Sequence, residues 1–258
     1  MEEAGWRGDG PEAYCHRCGS SVGPGEATTT GCGSCRNGGG IADGIVRLGA
    51  YGGVLREWII AVKYVHRWTE MAELLGRELG RAVAREGVVE AGRAVVVPMP
   101  MPWQRRMYRG IDHARVIAWG VAGSMRAPLV GVLGQSNGPP QVSLPRGERE
   151  RSGGRHLRVR RPLGRWKLAG LDVVLVDDVR TSGASLRHAV WLLRRLKPAR
   201  IVAAVVAVAD DYARRDRGER PGVSAGRRKS GDEKEASGGW EGGLGGFSGT
   251  GGKRVALI

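Results

Sequence analysis

Thirteen consecutive residues, Val173 to Ser185, constrain the architecture of this chain more tightly than any other stretch: Val-Val-Leu-Val-Asp-Asp-Val-Arg-Thr-Ser-Gly-Ala-Ser. Four β-branched or aliphatic residues predict a strand buried on both faces, and apolar residues at helical spacing from Leu186 to Leu196 predict a helix directly after it. The turn between them sits at the carboxyl end of a strand, where open α/β sheets bind ligands. Thr181, Ser182, Gly183, Ala184 and Ser185 can offer hydroxyls and successive backbone N–H groups to a phosphate, aided by a helix N-terminus. Gly183 permits close backbone approach. Asp177 and Asp178 lie just ahead of this cradle; ionised carboxylates only accept hydrogen bonds, which suits the vicinal hydroxyls of a ribose. The competing interpretation is an ordinary strand-to-helix turn with a Ser/Thr cap. A nucleotide P-loop is disfavoured, because GxxxxGK[ST] occurs nowhere and Gly251-Gly252-Lys253 is followed by Arg254.

The only four cysteines form two CxxC pairs, Cys15-His16-Arg17-Cys18 and Cys32-Gly33-Ser34-Cys35. Each pair supplies two thiolates, and together they can close a tetrahedral structural zinc site with no open position for chemistry. Gly19, Gly31 and Gly33 suit the tight knuckle turns. His16 is surplus to a closed shell of four sulfurs. Two disulfides or a redox pair are the alternatives, but Met1 to Tyr14 lacks a basic-then-apolar signal segment, which points to a reducing, cytoplasmic setting.

The thirteen-residue segment resembles the phosphoribosyl-pyrophosphate motif of type I phosphoribosyltransferases in residue class, spacing and context. A cysteine knuckle ahead of such a motif is similar to the ComF family. Leu55-Arg56-Glu57-Trp58 through Lys63-Tyr64 resembles that family's helix ending in Lys-Tyr, and Val97-Pro98-Met99-Pro100 its Val-Pro-x-Pro loop. Arg109-Gly110 matches the start of its Arg-Gly-x-Asn-Gln signature, and Gln141, Leu144 and Arg149 match Gln-x-x-Leu-x-x-x-x-Arg. The resemblance spans roughly residues 15 to 209. It departs at Asp112 and His113, where the family pattern has Asn and Gln, at Ser152, where Asn is usual, and at Ser182, which keeps the hydroxyl of a Thr.

The formal charge of +15 comes almost wholly from arginine, 35 Arg against 6 Lys. Gly and Ala are abundant as well, so a GC-rich genome explains much of this bias, although a diphosphate-binding protein also needs a positive field. Arg146 to Arg165 holds eight arginines without periodic apolar positions and reads as a mobile basic loop, either a solvated connection or a lid. The longest apolar run, Ile201 to Ala209, is nine residues and too short to span a bilayer. Aromatic residues that could stack bases are sparse, so charge alone argues weakly for nucleic acid.

Three parts are expected: residues 1–40 with the four-cysteine knuckle, 41–212 as a phosphoribosyltransferase-like domain, and a Gly- and charge-rich tail over 213–258. Ile41 to Tyr51 reads as an extended lead-in. Helices are expected over Val54–Tyr64, Met71–Arg85, His113–Met125 and Leu186–Leu196, and strands over Ala94–Val97, Leu129–Leu133, from Val173 and over Ile201–Val208. Such alternation predicts an α/β fold, a central parallel sheet flanked by helices with a small zinc-ribbon-like element at the N-terminus.

The resemblance implies displacement of pyrophosphate from 5-phosphoribosyl pyrophosphate by a nitrogen nucleophile, with Mg²⁺ bridging diphosphate and ribose. It assigns Asp177 and Asp178 to the ribose and metal shell and residues Val179 to Ser185, Arg180 included, to sugar-phosphate binding. Met99 and Pro100 shape a diphosphate loop, and Lys63, Arg105 and Arg109 are candidates to neutralise the diphosphate. For Arg105 the competing role is a surface residue, and for Lys63 complementation of a helix dipole. Two other readings stand beside transfer: a regulator that binds the sugar diphosphate or a nucleotide without catalysis, and an accessory factor in DNA uptake acting through contacts with DNA or partner proteins. Fold analogy does not choose among them.

Overall fold

The computed structural model describes residues 6–28, 30–33, 35, 40–64, 69–90, 92–101, 107, 110–135, 157–160 and 168–209. Four runs rich in Val, Ile and Ala become the strands β1 (Gly44–Ala50), β2 (Ala94–Pro98), β5 (Asp172–Arg180) and β6 (Arg200–Val208). They form one sheet in the order β1-β6-β5-β2, every neighbouring pair parallel. A short antiparallel pair, β3 (Leu133–Gln135) with β4 (Leu157–Val159), stands apart from it.

Period-two burial explains why the parallel strands are apolar throughout. Val95, Val97, Val173, Leu175, Ile201, Ala203 and Val205 face one layer, formed by Leu186, Ala189, Val190 and Leu193 of α4 (Ala184–Arg194) and by Leu133 and Leu157 of the β3–β4 pair. Val96, Val174, Val176, Val202, Ala204 and Val206 face the other. That layer holds three helices, α1 (Gly53–Tyr64), α2 (Thr69–Arg85) and α3 (His113–Met125). Each fully buried Val or Leu contributes roughly 1.5–3 kcal/mol. Helices α2 and α3 touch backbone to backbone: a Cβ added at Gly76 would press on the Ile117 carbonyl, and one at Gly120 on the Glu73 carbonyl, both well under 3.0 Å.

Three local expectations are corrected. The strand expected over Leu129–Leu133 begins only at Leu133; Leu129 makes a lone parallel bridge to Val96, and Val130 N donates to the Val96 carbonyl, so this edge is too short to extend the sheet. Ile41 to Tyr51 is more than a lead-in, because β1 is a full edge strand of the sheet. Within the basic segment Arg146–Arg165, Leu157–Val159 is a strand that buries Leu157 against the core; three residues suffice for that, too few to leave a periodic signal. The rest of that segment, apart from Arg160, lies outside the described residues, as do the tail from Asp210 onward and the matches at Gln141, Leu144, Arg149 and Ser152.

No described helix is long and apolar enough to cross a membrane.

Candidate functional site

Strand β5 does not stop at its apolar run but continues through both carboxylates to Arg180, with Asp177 beside Val205 and Arg180 beside Val208 of β6. The acids are therefore held by a central strand and not by a loop. Asp177 Oδ1 accepts from Asp178 N at 2.9 Å, and Asp178 Oδ1 accepts from Val179 N at 2.6 Å. Lys63, at the last turn of α1, places Nζ 2.8 Å from Asp178 Oδ2. The pair is only about one-fifth exposed, 19% for Lys63 and 20% for Asp178, so this ion pair is screened less than a surface one. Its position at a helix C-terminus also satisfies the dipole, the competing role weighed for Lys63.

Burial, and next the neighbouring Asp178 charge, push the Asp177 carboxyl up to about 8, against the opposing pull of the Asp178 N–H and Lys63. Near neutral pH the Asp177 carboxyl therefore retains its proton, beside the Lys63–Asp178 ion pair.

Beyond Arg180 the chain turns through Thr181 and Ser182, both exposed, to Gly183, which caps α4 with φ 73°. Ser182 Oγ accepts from Ala184 N at 3.4 Å, and the Gly183 carbonyl takes the first helical bond from Arg187 N at 2.9 Å. A side chain at Gly183 would be strained twice, by its left-handed backbone and by Ile41 Cδ1 at 2.8 Å from the added carbon. The hydroxyl-bearing loop thus lies beside a helix N-terminus.

Met99 and Pro100 leave β2 next to the same carboxyl edge. Pro98 is the register partner of Val176, and Met99 N donates to the Val176 carbonyl at 2.8 Å, one residue before Asp177. The structure accordingly gathers Lys63, Met99, Pro100, Asp177, Asp178 and residues 179–185 at one edge. Arg105 and Arg109 lie outside the described residues. Asp112 caps α3, accepting from Arg115 N at 3.2 Å, so its carboxylate has a structural task.

The four cysteines converge on a second, closed site. Their sulfurs lie within 4.8 Å of one another, all four residues buried, with Cys15–Cys35 at 3.5 Å and Cys18–Cys32 at 3.6 Å. A zinc ion bound at about 2.3 Å to each sulfur spaces them by about 3.8 Å, so the donor set fits a tetrahedral ion. Burial opposes ionisation of Cys15, yet N–H groups of Arg17, Cys18 and Cys32 pull its thiol down to about 7, whereas burial pushes the Cys18 and Cys35 thiols up. His16 sits outside this set, tilted on Tyr14 with Nδ1 3.6 Å from Glu86 Oε2.

What motif reading missed is how the knuckle is fastened. Tyr14 is buried and donates to Glu86 Oε1 of the segment just after α2 at 2.6 Å. Arg47, 2% exposed within β1, donates to the Gly19 carbonyl at 2.7 Å, to Asp9 Oδ2 at 2.6 Å and to Ser21 Oγ at 2.9 Å, while its guanidinium lies 5.1 Å from the Tyr14 ring centre. A lone charge in the apolar run Ile45-Val46-Arg47-Leu48 was the available signal. Burying it is tolerable only because the knuckle supplies its acceptors.

The family model described as "Phosphoribosyl transferase domain" matches residues 115–244, just over half of the chain. No curated protein matches. Among solved structures, TT1426 from Thermus thermophilus is 21% identical over 57% of this chain and 78% of its own, with a TM-score of 0.34. A hypoxanthine-guanine phosphoribosyltransferase from Bacillus anthracis is 15% identical over 55% of this chain and 72% of its own, with a TM-score of 0.36. With its parallel sheet, its acid pair and the family match in agreement, the chain belongs to the phosphoribosyl transferase domain family.

Proposed function

We propose that the protein binds 5-phosphoribosyl pyrophosphate with Mg²⁺ and transfers its phosphoribosyl group to a nitrogen nucleophile. The observation that carries this reading is the continuity of β5, Asp177, Asp178, the hydroxylated turn and the start of α4 at one sheet edge. In it the loop from Thr181 to Ser185 holds the 5-phosphate through backbone N–H groups and hydroxyls. Asp177 and Asp178 accept from the ribose hydroxyls, and Asp177 gives up its proton as they bind. Met99 and Pro100 border the diphosphate, with Lys63, Arg105 and Arg109 opposing its charge. Asp177 and Asp178 would help hold the magnesium ion, whose chemistry is to neutralise the leaving diphosphate. Catalysis on this reading is positioning plus stabilisation of the leaving group.

The similarity to the ComF family adds a cytoplasmic role linked to uptake of transforming DNA, with a structural zinc ion in the cysteine site. The family match and the four buried sulfurs support the transferase and zinc parts of that reading. Titration calorimetry with 5-phosphoribosyl pyrophosphate and Mg²⁺ tests the site: binding is expected, and Asp177→Asn with Asp178→Asn should weaken it at least a hundredfold. Unchanged affinity in the double variant refutes the assignment. Pyrophosphate release measured over a panel of bases and amines separates transfer from binding alone. A salt series with DNA tests the uptake role, since arginine contacts to phosphates weaken as salt rises.

A further inference from the structure

The two sites meet through one guanidinium. Arg180, the last residue of β5, donates from Nη2 to Ser20 Oγ at 3.0 Å and from Nη1 to the carbonyl of Thr181 at 3.1 Å. Thr181 opens the hydroxylated turn, and Ser20, buried at 6% exposure, is two residues beyond Cys18. The remaining nitrogen of that side chain, Nε, is buried with no partner among the described residues, so those two bonds fix where the guanidinium sits. Arginine donates and never accepts, so Ser20 Oγ must spend a lone pair on Arg180 and keep its single proton for another acceptor. Ser20 is itself tied into the cysteine site through its backbone, its carbonyl accepting from Cys15 N at 2.9 Å. Cys15, Ser20, Arg180 and Thr181 are thus joined in that order by hydrogen bonds. An ion held by Cys15 and Cys18 fixes the turn between them, in which Cys18 N and Gly19 N both donate to the Cys15 carbonyl, and so holds Ser20, and through it Arg180, in one orientation.

The seat of the knuckle is equally firm. Gly19 lies against the sheet with φ 77°, where an added Cβ would come within 3.1 Å of both Ile45 Cδ1 and Val208 Cγ2. Backbone bonds run from Ile45 N to the His16 carbonyl at 2.9 Å and from Ile41 N to the Arg17 carbonyl at 3.0 Å. Ile41 in turn is the side chain packed nearest Gly183 of the turn.

From this we infer that Ser20 and Arg180 are positioning residues through which the four-cysteine site orders the turn Thr181–Ser185, so that metal occupancy sets how well that turn is organised for its anionic ligand. The ligand half rests on the sugar-phosphate reading above; the ordering half does not.

Hydrogen–deuterium exchange of the Thr181–Ser185 amides, in the full-length metal-loaded protein without ligand, reads the ordering directly. Ser20→Ala should raise exchange there about tenfold while metal analysis still finds about one zinc per chain; Ser20→Thr, which keeps the hydroxyl, should return it to the starting rate. Arg180→Gln, which alters no residue of the knuckle itself, should loosen the same amides. It decides the matter should Ser20→Ala shed its metal. Unchanged exchange in Arg180→Gln, or in zinc-retaining Ser20→Ala, overturns the inference. Calorimetry with 5-phosphoribosyl pyrophosphate and Mg²⁺ then reads the ligand half, with about a fivefold weaker Kd expected for Ser20→Ala. An unaltered Kd in that variant overturns this half. A starting protein that takes up none of this ligand, but whose turn still loosens in the variants, refutes the sugar-phosphate reading and leaves the ordering intact.

Discussion

The cysteine cluster and the acid pair are built to opposite specifications from similarly small sets of residues. In the cluster all four cysteines are buried and their sulfurs converge on one another. At the acid pair the scaffold is equally rigid, a central strand, yet the groups it presents are under tension: a carboxyl held protonated by burial, and hydroxyls of Thr181 and Ser182 left in solvent. A closed set of ligands lends stability to the fold. An open one costs stability and keeps its interactions for a ligand.

That contrast has measurable consequences, and the largest concerns the cluster. Replacing Cys18 and Cys32 by Ser should abolish zinc binding and destabilise the protein by about 4 kcal/mol or more, because the buried Arg47 loses Gly19 and Ser21 as acceptors and Glu86 loses Tyr14 as its donor. Metal analysis with chemical denaturation measures both; a double variant as stable as the starting protein breaks the comparison. Next, Gly76→Ala should cost several kcal/mol, roughly 3, since the backbone of α3 occupies the space its methyl group needs. This change strikes neither site and calibrates how a purely structural lesion behaves in thermal melts.

The acid pair should respond with the opposite sign. The folded pKa of Asp177, about 8, lies above its unfolded value. Its contribution to stability is therefore complete below about pH 4 and is lost as pH rises through about 8. Asp177→Asn should remove that decline and stabilise the ligand-free protein on the order of 1 kcal/mol at pH 8, while ligand binding collapses. Melting curves across pH 4 to 9 decide it, and a destabilised Asn variant would make the acid a structural residue like the cysteines. The smallest effect is expected at Lys63→Met. Losing the partner of Asp178 should change stability by less than about 1 kcal/mol, yet raise the titration midpoint of Asp177, followed by carboxyl-carbon NMR. A midpoint that stays in place would show that Lys63 does not share charge with the pair.

Both sites announced themselves in the sequence for the same reason. Metal geometry demands paired thiols at CxxC spacing, and phosphate binding demands small, hydroxylated residues between a strand and a helix, so local chemistry leaves a local mark. Helix α3 was legible to the residue, from apolar spacing that ends at a left-handed Arg126. Strand β3 was not, because Leu129 to Leu133 is as β-prone as a true strand and only its single bridge to Val96 decides that it stays outside the sheet. Arg47 stood out only as a charge among apolar neighbours, and nothing near it in sequence names Asp9, Gly19 or Ser21 as its acceptors.

By itself, then, the order of residues determined that four sulfurs would gather, that a strand would end in acids, and that the turn beyond them would favour an anion. Each is a matter of side-chain chemistry within a few neighbours along the chain. Only the folded arrangement decided that Lys63 reaches Asp178 across 115 positions and that Ser20 meets Arg180 across 160. Those pairings come from the stacking of β1, β6 and β5 in parallel, which places three carboxyl ends side by side. Proximity of that kind is fixed by how buried surfaces pack together, and no local pattern encodes it.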